Sequence, residues 1–228
     1  MREMPFAPSS RARLTRHDLG RFPGDTLFDR IARAVCEAGC LPRKELFEAW
    51  EVAKRVRRLF RGGRVVDIAG GHGLLAQVLL LLDATSPSAM VVERTIPPSA
   101  ASVNEALAVV WPRLTSQVEF VAADLGSVAL ASGDLIVASH ACGALTDAVL
   151  ARAIEARARV AVLPCCHDLE ACDAGALGGW MAAPLAVDVM RAVRLEQHGY
   201  RVWTQSIPDI ITPQNRLLLG QPGLGGDL

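Results

Sequence analysis

Residues 64–73, Arg-Val-Val-Asp-Ile-Ala-Gly-Gly-His-Gly, constrain the fold of this chain more than any other stretch. A β-branched run ends in an acid and a glycine-rich turn, and the apolar run Leu74 to Leu82 follows at once. Val and Ile suit a pleated, buried backbone. Gly70, Gly71 and Gly73 allow positive φ and a close approach of the backbone to a ligand. Strand, glycine turn and helix, in that order, hold a ligand against the start of a helix. The acid at the strand end, Asp67, would repel a pyrophosphate, and the turn lacks the Gly-x-Gly-x-x-Gly spacing of a dinucleotide site.

Hydrophobic periodicity sets the frame around this turn. Helical spacing of Leu27, Phe28, Ile31 and Val35, with Asp25 as cap and Gly39 as stop, predicts a first helix. Pro42 opens a second, on which Leu46, Phe47, Trp50, Ala53, Val56 and Phe60 share a core face up to Gly62-Gly63. Strands are expected at 64–68, 88–92, 117–121, 134–138 and 159–163, with helices at 73–82, 99–110 and 145–156 between them. Such alternation implies a parallel sheet with right-handed crossovers. After a helix near 184–198, strands at Tyr200–Ser206 and Asn215–Gly220 are joined too closely for a crossover and must pair antiparallel. The expected fold is α/β and Rossmann-like, a mostly parallel seven-stranded sheet with an antiparallel final strand. Residues 1–62 form a helical N-terminal cap beside the ligand cleft, with 1–23 loop-like. Residues 63–220 form the ligand-binding domain, and 221–228 a flexible tail.

In such a sheet ligands lie at the carboxyl ends of the strands. The first strand ends in Asp67, Ala69, Gly70, Gly71 and Gly73. The second ends in Glu93, able to accept from both hydroxyls of a ribose. The third leads to Asp124, placed to accept from an adenine amino group. Acids at three successive strand ends point to S-adenosylmethionine (SAM), whose amino and sulfonium groups are cationic. Ala69 stands where the usual Asp-x-Gly-x-Gly-x-Gly has its first glycine, which requires a negative φ here. His72 is expected to face solvent. NAD is the alternative ligand.

The fourth and fifth strands are neighbours whose tips carry Ser139-His140-Ala141-Cys142 and Pro164-Cys165-Cys166-His167. Ser139 belongs with the cofactor set. His140, Cys142 and His167 are the catalytic candidates, since an imidazole can take a proton from a hydroxyl near neutral pH. A cysteine nucleophile and a structural role for the cysteines are the alternatives. Together with Cys165 and Cys166, which are assigned to substrate binding, these side chains offer enough ligands for tetrahedral zinc. Their spacing matches no standard finger, and no metal is assigned. Thr146 and Asp147 suit an N-terminal cap. Asn215 and Arg216 can reach the cleft from the last strand, where Arg216 would hold a phosphate or close a salt bridge.

His-x-Cys-Gly-x-x-Thr-Asp at 140–147, Pro-Cys-Cys-His at 164–167 and Thr212-Pro213-Gln214-Asn215-Arg216 together resemble one group of methyltransferase domains. It includes eukaryotic tRNA 2′-O-methyltransferases acting on the acceptor stem, glutathione S-transferase C-terminal-domain-containing proteins and related methyltransferase-like proteins. The resemblance covers about residues 40–220. It implies a Rossmann-like fold, SAM as cofactor and, for one branch, RNA methylation. The Cys/His-rich zinc-finger segment of the tRNA enzymes has no counterpart in this sequence. The motifs of adenine amino-methylation and the Lys-Asp-Lys-Glu set of 2′-O-transfer are also absent, the chain having only Lys44 and Lys54.

Charge bears on the acceptor. Residues 1–62 carry 14 basic and 8 acidic side chains, the remainder 10 and 16, for a net charge of zero. A basic entry segment on an acidic domain can steer a polyanion, so RNA is the leading acceptor. A small-molecule or protein acceptor, or a non-catalytic SAM-fold module, are the alternatives. No apolar run is long enough to cross a membrane, and six cysteines without framework spacing fit a reducing cytoplasm. The residues leave the methylated atom and the number of subunits open.

Overall fold

The computed structural model describes residues 6–223, so the expected tail lies outside the described residues from position 224 onward. A 3₁₀ turn at Arg16–Arg21 and a bridge between Arg13 and Pro42 order the entry segment. Helix α1 spans Leu27–Ala38; its cap is Thr26, one residue after the expected Asp25, and its hydroxyl accepts from the Asp29 amide. Gly39 ends the helix at φ 69°. Pro42 precedes α2, Arg43–Leu59. Then follow β1 (Val65–Ile68), α3 (Leu74–Leu82), β2 (Ala89–Glu93), α4 (Ser99–Val110), the short α5 (Leu114–Gln117) and β3 (Val118–Ala122). The remainder is β4 (Leu135–Ala138), α6 (Ala144–Ala156), β5 (Arg159–Val162), α7 (Ala183–Gln197), β6 (Tyr200–Ser206) and β7 (Arg216–Pro222). The last strand runs two residues past the expected boundary at 220.

Among the described residues one seven-stranded sheet forms, in the order β3-β2-β1-β4-β5-β7-β6. Strands β1 to β5 pair in parallel, and β7 runs antiparallel to both β5 and β6. The order reverses between β1 and β4, which opens a crevice at their carboxyl ends.

Period-two alternation divides the apolar side chains between two faces. Val65, Val91, Leu135, Val137 and Leu219 pack under α1 to α4. Val66, Ile68, Ile136, Val160 and Leu218 pack under α6 and α7. The sequence of α3, apolar except for Gln77, fits its position between α2 and the sheet: Leu79 is fully buried, and cutting it to Ala would cost about 2–5 kcal/mol.

Helix α2 is fastened to the end of α3 by a buried guanidinium. Arg57 donates to Leu79 O at 3.1 Å and to Ser86 Oγ at 2.8 Å, and lies 3.2 Å from Asp83. Burial lowers the Arg57 pKa to about 10, with Asp83 opposing that shift. Ala49 of the α2 core face, with Glu45 one turn before it, also borders the β1–β4 crevice.

Candidate active site

The loop after β1 is built from backbone conformations that the sequence only partly announces. Gly71 and Gly73 have φ of 54° and 69°, and Ala69 has φ 54°. The negative φ expected at Ala69 is thus corrected: a side chain occupies a left-handed position, a cost of about 1–2 kcal/mol. The glycines have different reasons. A Cβ on Gly70 would stand 2.7 Å from the Asp67 carboxyl carbon, and one on Gly73 2.9 Å from Val91 and 3.0 Å from Phe120. A Cβ on Gly71 would meet nothing within 4 Å. Gly70 and Gly73 let the loop lie on the sheet, whereas Gly71 leaves open space over it.

Asp67 lies under this loop, not on the cleft wall. It accepts from the Ala76 amide at 3.2 Å, and its Oδ1 is buried without a partner. Burial raises its pKa to about 7; the Ala76 bond opposes this and Glu93 adds to it. The expected direct contact with the cofactor is therefore replaced by support of the loop from below.

Glu93, at the tip of β2, accepts from the Gly71 amide at 2.9 Å and faces two adjoining hollows. One, of about 690 Å³, lies among Ala69, Glu93, Asp124, Leu125 and Leu145. The other, of about 400 Å³, lies among Gly70, Gly71, Glu93, Ser139 and His140. Ala69 and Glu93 line both, so a nucleoside and an amino-acid chain can lie across β1 with the loop beneath them. Asp124 sits at the nucleoside end, where exposed Arg94 pairs with it at 2.8 Å. The open space over Gly71 and the hollows lined by Glu93, Asp124 and Ser139 fit SAM.

The second hollow has a wall that sequence reasoning missed. Glu45 and Ala49 of α2 line it, and Glu48 lies fully behind it with Lys44 at 3.0 Å. The acids alternate with the apolar stripe of α2, and a reading that followed the stripe passed over them. His140 points at this wall, its Nε2 3.9 Å from Glu48. Burial lowers the His140 pKa, against the opposing pull of Glu48. His72 is not solvent-facing as expected: its Nδ1 meets Ser99 Oγ at 2.8 Å, and its Nε2 lies 3.7 Å from Glu45. Burial, then His140, lowers the His72 pKa. Burial also raises that of Glu45.

The tips of β4 and β5 do meet, as expected. Cys142 Sγ lies 3.0 Å from Cys165 Sγ, and these atoms and Cys166 Sγ all lie within 4.8 Å of one another. Burial raises the pKa of Cys142 and of Cys165. The expected inclusion of His167 is corrected: the ring is turned away and buried, with Nε2 2.8 Å from Asp188 of α7. Arg216 is drawn to the other oxygen of the same carboxylate, at 2.6 Å. Asn215 donates to Ile207 O at 3.0 Å and closes the β6–β7 connection. These three residues brace the acceptor end and do not line the cleft. Behind them Arg191, almost fully buried, holds Asp147 at 2.7 Å and donates to Gly143 O at 3.0 Å. Thr146, expected as a cap, bonds the Ala141 carbonyl.

Sheet order, glycine loop and strand-end acids together define the class of Rossmann-like proteins that bind SAM. A family model described as a methyltransferase domain matches residues 48–172, more than half of the chain. The chain belongs to that family. Among curated proteins none matches it. An O-methyltransferase family protein from Burkholderia thailandensis is 18% identical over 94% of this chain and 65% of that one, with a TM-score of 0.53. A putative O-methyltransferase from Nostoc punctiforme is 15% identical over 96% of this chain and 74% of that one, also at 0.53. The M1A22 tRNA methyltransferase TrmK of B. subtilis is 16% identical over 75% of this chain and 65% of that one, at 0.50. At these identities the likeness is one of fold, and the chain spans about two thirds of the length of the Burkholderia and Bacillus proteins.

Proposed function

We propose that this protein transfers a methyl group from SAM to a hydroxyl or amine acceptor, with RNA as the leading substrate class. The observation that carries the reading is the pair of hollows that adjoin at Ala69 and Glu93, one reaching Asp124 and the other Gly71, Ser139 and His140. When bound, SAM supplies a sulfonium-activated methyl group. Glu93 would hold the ribose hydroxyls, Asp124 the adenine edge, and Gly71 and Ser139 the amino-acid chain. His140 is the base. Its lowered pKa keeps the ring neutral near pH 7, so that it can accept the acceptor's proton, and Glu48 behind it orients the ring and stabilises the cation formed. Positioning in a walled cleft supplies the rest of the acceleration.

Two features support RNA besides the motifs shared with the tRNA-modifying group. Arg16, Arg30 and Arg33 line a groove of about 880 Å³ between α1 and α4, shared with Glu37 and Glu105, Arg16 being paired with Glu37 at 2.6 Å. Trp180, in the loop that carries Cys165 and Cys166, is 86% exposed and offers a face for base stacking. A small-molecule acceptor is the second reading, favoured by the net charge of zero.

Calorimetric titration with SAM and S-adenosylhomocysteine tests the donor half. Glu93→Ala is expected to weaken binding at least about tenfold, about 1.4 kcal/mol. His140→Ala is expected to leave that affinity in place and lower transfer to total RNA by about 10²-fold or more. Equal transfer by both proteins removes His140 as base. Folded wild type that binds neither compound overturns the donor site itself.

A further inference from the structure

The tips of β4 and β5 carry a feature that methyl transfer to oxygen or nitrogen does not use. Three thiols converge there, from two loops 23 residues apart, and two of them, Cys142 and Cys166, are exposed. Cysteines serving only as small core residues are buried, as Cys36 is. The two loops are tied to each other by bonds outside the sheet. The Gly143 amide donates across to Cys166 O at 3.2 Å, and within the first loop the Leu145 amide donates to Cys142 O at 3.1 Å. Arg191 grips Gly143 O, and His167 is anchored on Asp188 immediately after Cys166. The sulfurs are therefore held together by a rigid frame. That the histidines of both motifs turn elsewhere, His140 to Glu48 and His167 to Asp188, leaves a donor set of sulfur alone.

We propose that Cys142, Cys165 and Cys166 form a zinc site with three thiolate ligands and a fourth position open on the acceptor side of the cleft. Zinc binds thiolate sulfur at about 2.3 Å, which sets sulfurs of a tetrahedral site about 3.8 Å apart. The three sulfurs here, all within 4.8 Å and the closest pair at 3.0 Å, need only small rotations to match that spacing. Binding converts each thiol to a thiolate and releases its proton to solvent, so affinity rises with pH. Three protein ligands with an open position is the pattern of a reactive zinc rather than a structural one. The sheet order places this site over β4 and β5, beside the cleft across β1 and β2. The fourth ligand would come from solvent or from the acceptor.

Elemental analysis of untagged protein, reduced, loaded with zinc and dialysed against metal-free buffer, tests the site without recourse to activity. About one equivalent is expected in wild type and in Cys40→Ser, and its loss in Cys142→Ser and in Cys166→Ser. SAM binding by the same samples reports that each variant is folded. Cobalt substitution should give a sulfur-to-metal charge-transfer band in wild type that weakens in either variant and shifts when a small thiol is added. Less than a tenth of an equivalent in folded wild type, or full zinc in both variants, overturns the proposal. A Cys142–Cys165 disulfide that resists the reductant and persists in place of metal uptake overturns it as well.

Discussion

The two halves of the cleft are built by opposite means. Over β1 to β3 the surface is mainly backbone: a loop with three positive φ angles, an amide held by Glu93, and open space over Gly71. Over β4 and β5 it is made of side chains, each braced by another. Asp188 alone takes His167, Arg191 and Arg216. A backbone-built wall tolerates sequence change away from its glycines. A side-chain frame does not, because removing one charge leaves others buried without a partner. The donor half is suited to a constant ligand, and the acceptor half stakes its geometry on a few residues.

Breaking the frame tests this contrast most severely. Arg191→Leu strips Asp147 of its guanidinium and should lower stability by about 3–5 kcal/mol in urea titrations. Its SAM affinity, measured where the variant is still folded, should stay within about twofold of wild type. A loss of tenfold or more would show that the halves are one unit.

Next in size is the pH dependence of the donor half. Folded Asp67 keeps its proton up to about pH 7, whereas an unfolded aspartate releases it near pH 4. The folded state thus binds more protons between these values, and stability should fall as pH rises from about 4 to 7, then level off. Melting curves of Asp67→Asn should lack that part of the decline; an unchanged pH profile would contradict the raised pKa.

A smaller effect sharpens the role of the loop backbone. Ala69→Gly relieves the left-handed position, but Gly costs more chain freedom on folding, leaving a net gain of about 0.5–1 kcal/mol. A loss of stability in chemical denaturation would mean that the Ala69 methyl packs more than its backbone strains. The smallest change is expected at the exposed Arg94–Asp124 pair. Arg94→Ala should move stability by less than about 0.5 kcal/mol, and SAM affinity should hold or improve as Asp124 is freed. A calorimetric loss of affinity would place Arg94 in the site.

Much of the fold was legible because its signals are local. Each β-branched run bounded by turn residues became a strand within two residues of its expected limits, and Gly39 ended its helix, whereas α2 stopped at Leu59, before Gly62-Gly63. What the sequence concealed depends on direction. Nothing in Asp-Ile-Ala-Gly tells the sign of φ at Ala69, which is decided by the way the loop lies on Val91 and Phe120. His140 and His167 occupy similar motif positions, yet one faces the cleft and the other a carboxylate on α7, 21 residues later. Glu45 and Glu48 were hidden by periodicity itself: they sit beside the apolar residues that marked α2 as core, and that spacing drew attention from the acids between them.

Those acids of α2 bear on how such a chain could change over evolution. A covering helix that only kept water out could be exchanged for another of similar shape, and acceptor preference would pass from one protein to the next by swapping lids. Here the lid also furnishes Glu48 behind His140 and Glu45 beside His72, while Arg57 locks its far end onto α3. Replacing it would remove the carboxylates beside both histidines together with the roof. Diversification is then confined to the segments that carry no such duty.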